Sequence, residues 1–225
     1  MKTINLSKYV PSFLEKTKGI HYAQQGAFKS ELFLLYCLHK EFENDMFIES
    51  GLCNGFSTQI LLSLIKDPYV GIDSDKRWRG REKSEIKTAK DFTFQHGNSI
   101  QHLPQTILRN PNKQISVFID GPKNTAAMQL KDKILSYTNV SFVAVHDTYD
   151  GLVNQNKLRI FESSSNKKYN AKYFELLNRA QGNEADIFSL VNSERASCRT
   201  VSYAKCYPNG PGISIYSKHD VKFEL

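Results

Sequence analysis

Apolar residues switch between two spacings along this chain. Helical spacing runs from Ala27 to Phe42, where Phe28, Leu32, Leu35 and Tyr36 share one face and Leu34, Cys37 and Leu38 lie beside them. A short apolar run follows, closing on Phe47 and Ile48, and Glu49, Ser50 and Gly51 end it. Gly51 and Gly55 bracket a tight turn. Ser57 and Thr58 can cap the apolar helix Ile60 to Ile65, which Asp67 and Pro68 stop. A second strand, Tyr69 to Ile72, delivers Asp73, and Phe92 to Gln95 reads as a third. Ile115 to Ile119 and Val140 to Val145 are continuous apolar runs, as strands buried on both faces should be. Ile100, Leu103, Ile107 and Leu108 mark a helix before the fourth strand, and Thr125 to Leu135 another after it.

Beyond residue 150 the pattern weakens. Gly151 to Lys168 is polar and is predicted to be a mobile loop over a substrate. Tyr169 to Arg179 is predicted as a helix with Tyr173, Leu176 and Leu177 on its buried face. Thr200 to Tyr203 and Ile213 to Tyr216 are short strands joined by the turn-rich segment Lys205 to Gly212. Strands alternating with helices predict an α/β fold: a doubly wound, mostly parallel, seven-stranded sheet with an antiparallel C-terminal hairpin. The chain of 225 residues is long enough for one domain with a sizeable core, with residues 1–26 as an N-terminal arm and 27–216 as the core.

In such sheets ligands sit at the carboxyl ends of the strands. A ligand can approach the backbone closely at Gly51, which has no side chain. Asp73 lies about 20 residues after the turn, where a ribose diol is usually held. The dinucleotide fingerprint G-x-G-x-x-G fits poorly, because Cys53 and Phe56 stand where its later glycines belong. No lysine precedes Ser57, as a P-loop requires. Glu49 would repel a pyrophosphate but suits a cationic ligand. At the fourth and fifth strand tips stand Asp120, in Asp120-Gly121-Pro122-Lys123, and His146-Asp147. One reading makes His146 a general base oriented by Asp120 or Asp147.

Glu49, Gly51 and Gly55 match E-x-G-x-x-x-G, and at these residues the chain resembles the class I S-adenosylmethionine-dependent methyltransferases. Cys53 stands where the family often has a middle glycine. The resemblance implies a Rossmann-like fold and a transferase that takes its methyl group from S-adenosylmethionine. Glu49, Gly51, Gly55 and Ser57 would then shape the methionine end of the site and Asp73 would hold the ribose. Trp78, Asn98 and Ser99 would lie near the adenine, Asn98 replacing the family's acid. The tips carrying Asp120 and Asp147 look like those of the catechol-type O-methyltransferases and a related group that includes cephalosporin-hydroxylase-like enzymes. That resemblance implies Asp120, His146 and Asp147 as catalytic residues and Asp120 with Asp147 as Mg²⁺ ligands, which suits a hard cation. Thr148 stands where the catechol-type enzymes have an Asn. The expected acceptor is a small-molecule or sugar-like hydroxyl.

Charge keeps alternatives open. The net charge is +7 and the pI about 9.1, compatible with an anionic substrate or nucleic acid. Lys76 to Lys90 is rich in basic residues and holds Trp78, the only tryptophan. It reads either as a solvated helix face, with Trp78 as a wall of the cofactor pocket, or as a patch on which a base stacks. The alternatives are therefore a methyltransferase-like protein that binds or modifies nucleic acid, and a nicotinamide-dependent oxidoreductase. Cys37, Cys53, Cys198 and Cys206 share no metal-ligand spacing and read as free buried thiols, with a cytoplasmic location. No apolar run approaches the ~20 residues that span a membrane, and the first residues lack the apolar core of a secretory signal.

Overall fold

The computed structural model describes residues 2–21, 27, 29–76, 78–146, 174–177, 191 and 213–224. The chain opens with β1 (Lys2–Asn5) and α1 (Val10–Lys16), then α2 (Lys29–Glu41), β2 (Met46–Ser50), α3 (Phe56–Leu64) and β3 (Tyr69–Asp73). After a 3₁₀ turn come α4 (Ser84–Thr88), β4 (Phe92–His96), α5 (Ser99–Leu108) and β5 (Ile115–Ile119). The last elements are α6 (Asn124–Leu135), β6 (Val140–His146), β7 (Phe174–Leu177), β8 (Ile213–Ser217) and β9 (Val221–Glu224).

Seven strands form one sheet in the order β4-β3-β2-β5-β6-β8-β7. The pairings from β4 to β6 are parallel, and β8 runs antiparallel to both β6 and β7. Helices cover both faces. Phe33, Phe56, Ile60 and Trp78 pack with Phe47 and Phe118 on one, and Leu103, Ile107, Leu130 and Ile134 with Ile48 and Val117 on the other. The order reverses beside β2, which lies between β3 and β5. Among open α/β sheets that is the point where a ligand crevice forms.

One expected helix is a strand. Phe174–Leu177, inside the expected helix Tyr169 to Arg179, is a strand, with Phe174 opposite Ser217 and Glu175 opposite Tyr216. The ladder of β8 needs a partner on that side, and pairing with it outweighs local helix preference. Thr200 to Tyr203, expected as the other half of the hairpin, lies outside the described residues, as do Gly151 to Lys168, Cys198 and Cys206. Cys37 is buried as expected and Cys53 is exposed.

Polar pins reinforce the layers. His39 on α2, wholly buried, places Nδ1 2.7 Å from Ser116 Oγ and Nε2 3.0 Å from Asp67 Oδ2. The trio has the residue types of a hydrolytic triad, but Ser116 is buried in the middle of β5, where no substrate reaches it. It ties α2 to the sheet. The N-terminal arm is not a loose cover: β1 pairs in parallel with β9, and Phe13 of α1 meets Phe33 edge-on at 5.1 Å. No helix among the described residues is long and apolar enough to cross a membrane.

Glu41 gathers this arm. Its carboxylate takes the ammonium groups of Lys2 and Lys8 and the Tyr9 hydroxyl, the last at 2.7 Å. Burial alone would raise its carboxyl, but Lys8, Tyr9 and Lys2 more than offset that and lower it from 4.5 to about 2. Such a group contributes stability that is complete above about 4.5 and is lost as pH falls toward about 2. Glu41→Gln should therefore flatten the pH dependence of urea-unfolding stability across that window; a slope equal to the parent's would contradict the assignment.

Candidate active site

Strand geometry fixes which side chains meet at the reversal. Residues two apart on a strand share a face. Glu49 follows Phe47, Asp120 follows Phe118 and His146 follows Ala144, all on the face covered by α2 and α3. The structure thus brings Glu49, Asp120 and His146 to one side of three adjacent strand tips. β2 pairs with β5 and β5 with β6.

The turns at the tips of β2 and β5 touch backbone to backbone. The Ser50 carbonyl accepts from Asp120 N at 2.7 Å and Gly121 N at 2.9 Å. Gly51 has φ +83°, and a Cβ there would lie 2.4 Å from Gly121 N. Its missing side chain makes room for the neighbouring turn, where the sequence pointed to room for a ligand. Gly55 at φ +75° opens α3, and a Cβ there would meet Gly80 Cα at 2.8 Å and Trp78 at 3.1 Å. The N-cap of α3 is Gly55 rather than the expected Ser57 or Thr58, and Asn54 Oδ1 just before it accepts from Phe56 N at 3.0 Å.

Those hydroxyls point inward to Glu49. Its carboxylate accepts from Ser57, from Thr58 Oγ1 at 2.7 Å and from Tyr69 OH at 2.6 Å, and it is fully buried. It anchors β2, β3 and the first turn of α3 rather than facing a ligand. Burial raises its carboxyl to about 7, against the pull of the three hydroxyls.

Asp73 stands where the sequence placed it. Its Oδ2 accepts from Leu52 N at 2.7 Å and Cys53 N at 3.3 Å, and its Oδ1 from Asp75 N at 2.8 Å. The half-buried carboxylate is thereby oriented over the glycine turn. An ionised carboxylate has about four acceptor sites, so capacity for a hydroxyl remains. Trp78 is 1% exposed, donates Nε1–H to the Cys53 carbonyl at 3.0 Å and stacks on Phe94 at 5.4 Å. It walls the turn from behind, and a base cannot stack on it. Asn98 is exposed at the β4 tip and caps α5, its Oδ1 accepting from Ile100 N at 2.9 Å; Ser99 beside it is buried.

Asp120 and His146 meet at 2.8 Å (Oδ1 to Nδ1), and Lys123 joins the same oxygen. The sequence offered no sign of the fourth member, Glu31 of α2, whose Oε2 lies 3.2 Å from His146 Nε2. Burial alone would make the imidazole shed its proton, but the Asp120 and Glu31 carboxylates more than offset it and hold His146 well above the usual histidine range. Burial likewise pushes Asp120 up, and His146 and Lys123 bring it below the usual carboxylate range.

This donor set does not fit the Mg²⁺ expectation. Two cationic groups already share Asp120 Oδ1, where a hard ion would need oxygen ligands. Asp147 lies outside the described residues. Among those described, no group of three or more His, Cys, Asp or Glu is placed to hold a metal ion. The basic segment is also partly spent on local contacts: Lys87 pairs with Glu82 at 2.8 Å and Lys83 donates to Gln59 at 3.0 Å.

The sheet order with its antiparallel β8, and the glycine turn between β2 and α3, are the fold of the class I S-adenosylmethionine-dependent methyltransferases. The chain is similar in structure to the O-methyltransferase TomG from Streptomyces achromogenes, involved in tomaymycin synthesis (TM-score 0.56, 12% identity, 95% of this chain and 90% of that one). It is similar to the methyltransferase PaMTH1 from Podospora anserina, solved with S-adenosylhomocysteine (0.53, 11%, 94% and 88%). It is also similar to CalS11, a TDP-rhamnose 3′-O-methyltransferase of calicheamicin biosynthesis (0.50, 12%, 79% and 90%). At such identities the likeness defines the fold. No protein-family model matches the sequence, and no curated protein does.

Two substitutions test the geometry. Gly51→Ala combines left-handed strain with a clash against backbone, and should cost roughly 2–4 kcal/mol in urea unfolding; a loss near zero would show that the tips are not packed as described. Glu49 has its carboxyl raised in the fold, so its contribution is complete below 4.5 and is lost as pH rises through about 7. Glu49→Gln should abolish that decline, about 3 kcal/mol at most; a decline unchanged in the variant would assign it to another group.

Proposed function

We propose that this chain is an S-adenosylmethionine-dependent methyltransferase acting on an oxygen of a small-molecule or sugar-like acceptor. The observation that carries the reading is Asp73. Backbone amides of the glycine turn aim its carboxylate across the tips of β2 and β3, beside the point where the strand order reverses. A charge-assisted pair of bonds to a ribose diol fits that carboxylate. The bound cofactor supplies a methyl group on a sulfonium.

The chain's own residues divide the remaining work. The turn from Gly51 to Gly55 sets the floor of the site, stiffened from behind by Trp78 and from below by Glu49. Asp73 orients the nucleoside. Asn98, at the next tip along, offers its amide near the adenine. Asp120 lies on the β5 tip with its side chain only 10% exposed, and serves the acceptor hydroxyl. Among the structural neighbours, TomG is an O-methyltransferase and CalS11 acts on a sugar, which supports oxygen as the acceptor atom.

Calorimetric titration with S-adenosylhomocysteine tests the reading, with NADH and a short RNA as the competing ligands. Micromolar binding of the homocysteine is expected. Asp73→Ala should weaken it by roughly 1.5–3 kcal/mol, about 10- to 150-fold. Affinity for NADH or RNA without affinity for S-adenosylhomocysteine would replace this reading with the oxidoreductase or the nucleic-acid one.

A further inference from the structure

Glu31 is a buried acid that the sequence gives no reason to single out. It lies on α2, 3% exposed, among the apolar residues Leu32, Phe33, Leu34 and Leu35. Its carboxylate reaches the strand tips and closes a line of charges: Glu31 Oε2 at 3.2 Å from His146 Nε2, His146 Nδ1 at 2.8 Å from Asp120 Oδ1, and the Lys123 ammonium on that same oxygen. The imidazole is clamped edge-on by Phe118, with ring centroids 6.0 Å apart.

Each nitrogen of His146 therefore faces a carboxylate oxygen. Ionised carboxylates only accept hydrogen bonds, so between Asp120 and Glu31 in their charged forms both nitrogens donate and the ring carries both protons. A histidine with both protons in place has no lone pair with which to take one from an acceptor. Asp120 differs. His146 and Lys123 converge on Oδ1, while Oδ2 takes no hydrogen bond among the described residues. Carboxylates and cationic side chains thus alternate along the line, Glu31, His146, Asp120 and Lys123, with Lys123 at the exposed end.

We propose that Glu31 is a positioning residue: acting through His146, it leaves Asp120 Oδ2 as the group offered to the acceptor's proton and denies that role to His146. The assignment rests on the methyltransferase reading for the identity of the acceptor, but the bridge itself does not. It corrects the expectation that His146 is the general base. It also gives α2 a task beyond packing, because the helix supplies the carboxylate that fixes the ring from behind.

The test is ¹⁵N NMR of the imidazole nitrogens in the full chain at pH 7.5, with the His146 signals identified by their loss in His146→Gln. In the parent chain both His146 nitrogens should show the shifts of a protonated imidazolium. In Glu31→Gln, which keeps the side-chain shape but removes the charge, one nitrogen should move by tens of ppm to the position of an unprotonated ring nitrogen. A neutral His146 in the parent chain would overturn the proposal without any variant. So would an imidazolium that persists unchanged in folded Glu31→Gln. S-adenosylhomocysteine titrated into the same samples separates the two readings: affinity equal within about twofold in parent and Glu31→Gln is expected, since Glu31 meets His146 at the tip of β6 while Asp73 stands at the tip of β3. Loss of that affinity in both chains would defeat the methyltransferase reading while leaving the bridge measured.

Discussion

Two strand-tip turns, one after β2 and one after β5, lie against each other with no side chain between them. The Ser50 carbonyl takes both amides of the Asp120-Gly121 turn, and Gly51 occupies a left-handed conformation with Gly121 N where a Cβ would stand. A methyl group on Gly51 would force the tips apart, and one on Gly121 would press on Gly51 Cα. Everything chemical in the site is hung on that contact. It sets the distance of Asp120 from the glycine turn and lets Asp73 reach the amides of Leu52 and Cys53. It also lines up Glu49 and Asp120 on one face of the sheet.

That face is unusual in what it buries. Apolar packing of α2 and α3 would suffice to cover it, yet it holds Glu49 under three hydroxyl donors and His146 between two carboxylates. Buried charges are costly unless matched, and here each has a partner across an element boundary. The polar contacts therefore specify how α2 and α3 seat on the sheet, in a way that interchangeable leucines could not. The same seating puts a negative carboxylate beside a cationic ring at the strand tips.

The fold was legible because it is written in short periods. Each apolar run expected as a strand from Phe47 to Val145 falls within or beside a strand of the sheet, and α2, α5 and α6 lie within two residues of their expected bounds, whereas α3 starts four residues before Ile60 and only Ser84–Thr88 of Lys76 to Lys90 is α-helical. Asp73 was legible because the turn and the acid belong to one local βαβ unit. Directions were not. β2 and β5 are buried on both faces, so no alternation of polar and apolar residues says that Glu49 looks toward α3 rather than outward. Trp78 sits in a basic stretch, and only the packing of Gly55, Gly80 and Phe94 around it shows that the indole is inside. Glu31 had no signal at all: it meets His146 across 115 residues of sequence, from a helix whose pattern reads as plain core. Phe174–Leu177 was misread because four residues carry little local preference and the partner strand decides.

The proposed function places an adenosyl sulfonium ligand over the tips of β2 and β3, held by Asp73. The most direct measurement is a crystal structure of the chain grown with S-adenosylhomocysteine. Density is expected across the tips of β2 and β3, with both ribose hydroxyls on Asp73 and the sulfur turned toward Asp120. Density for the ligand elsewhere on the chain, or a ribose held without Asp73, would contradict it.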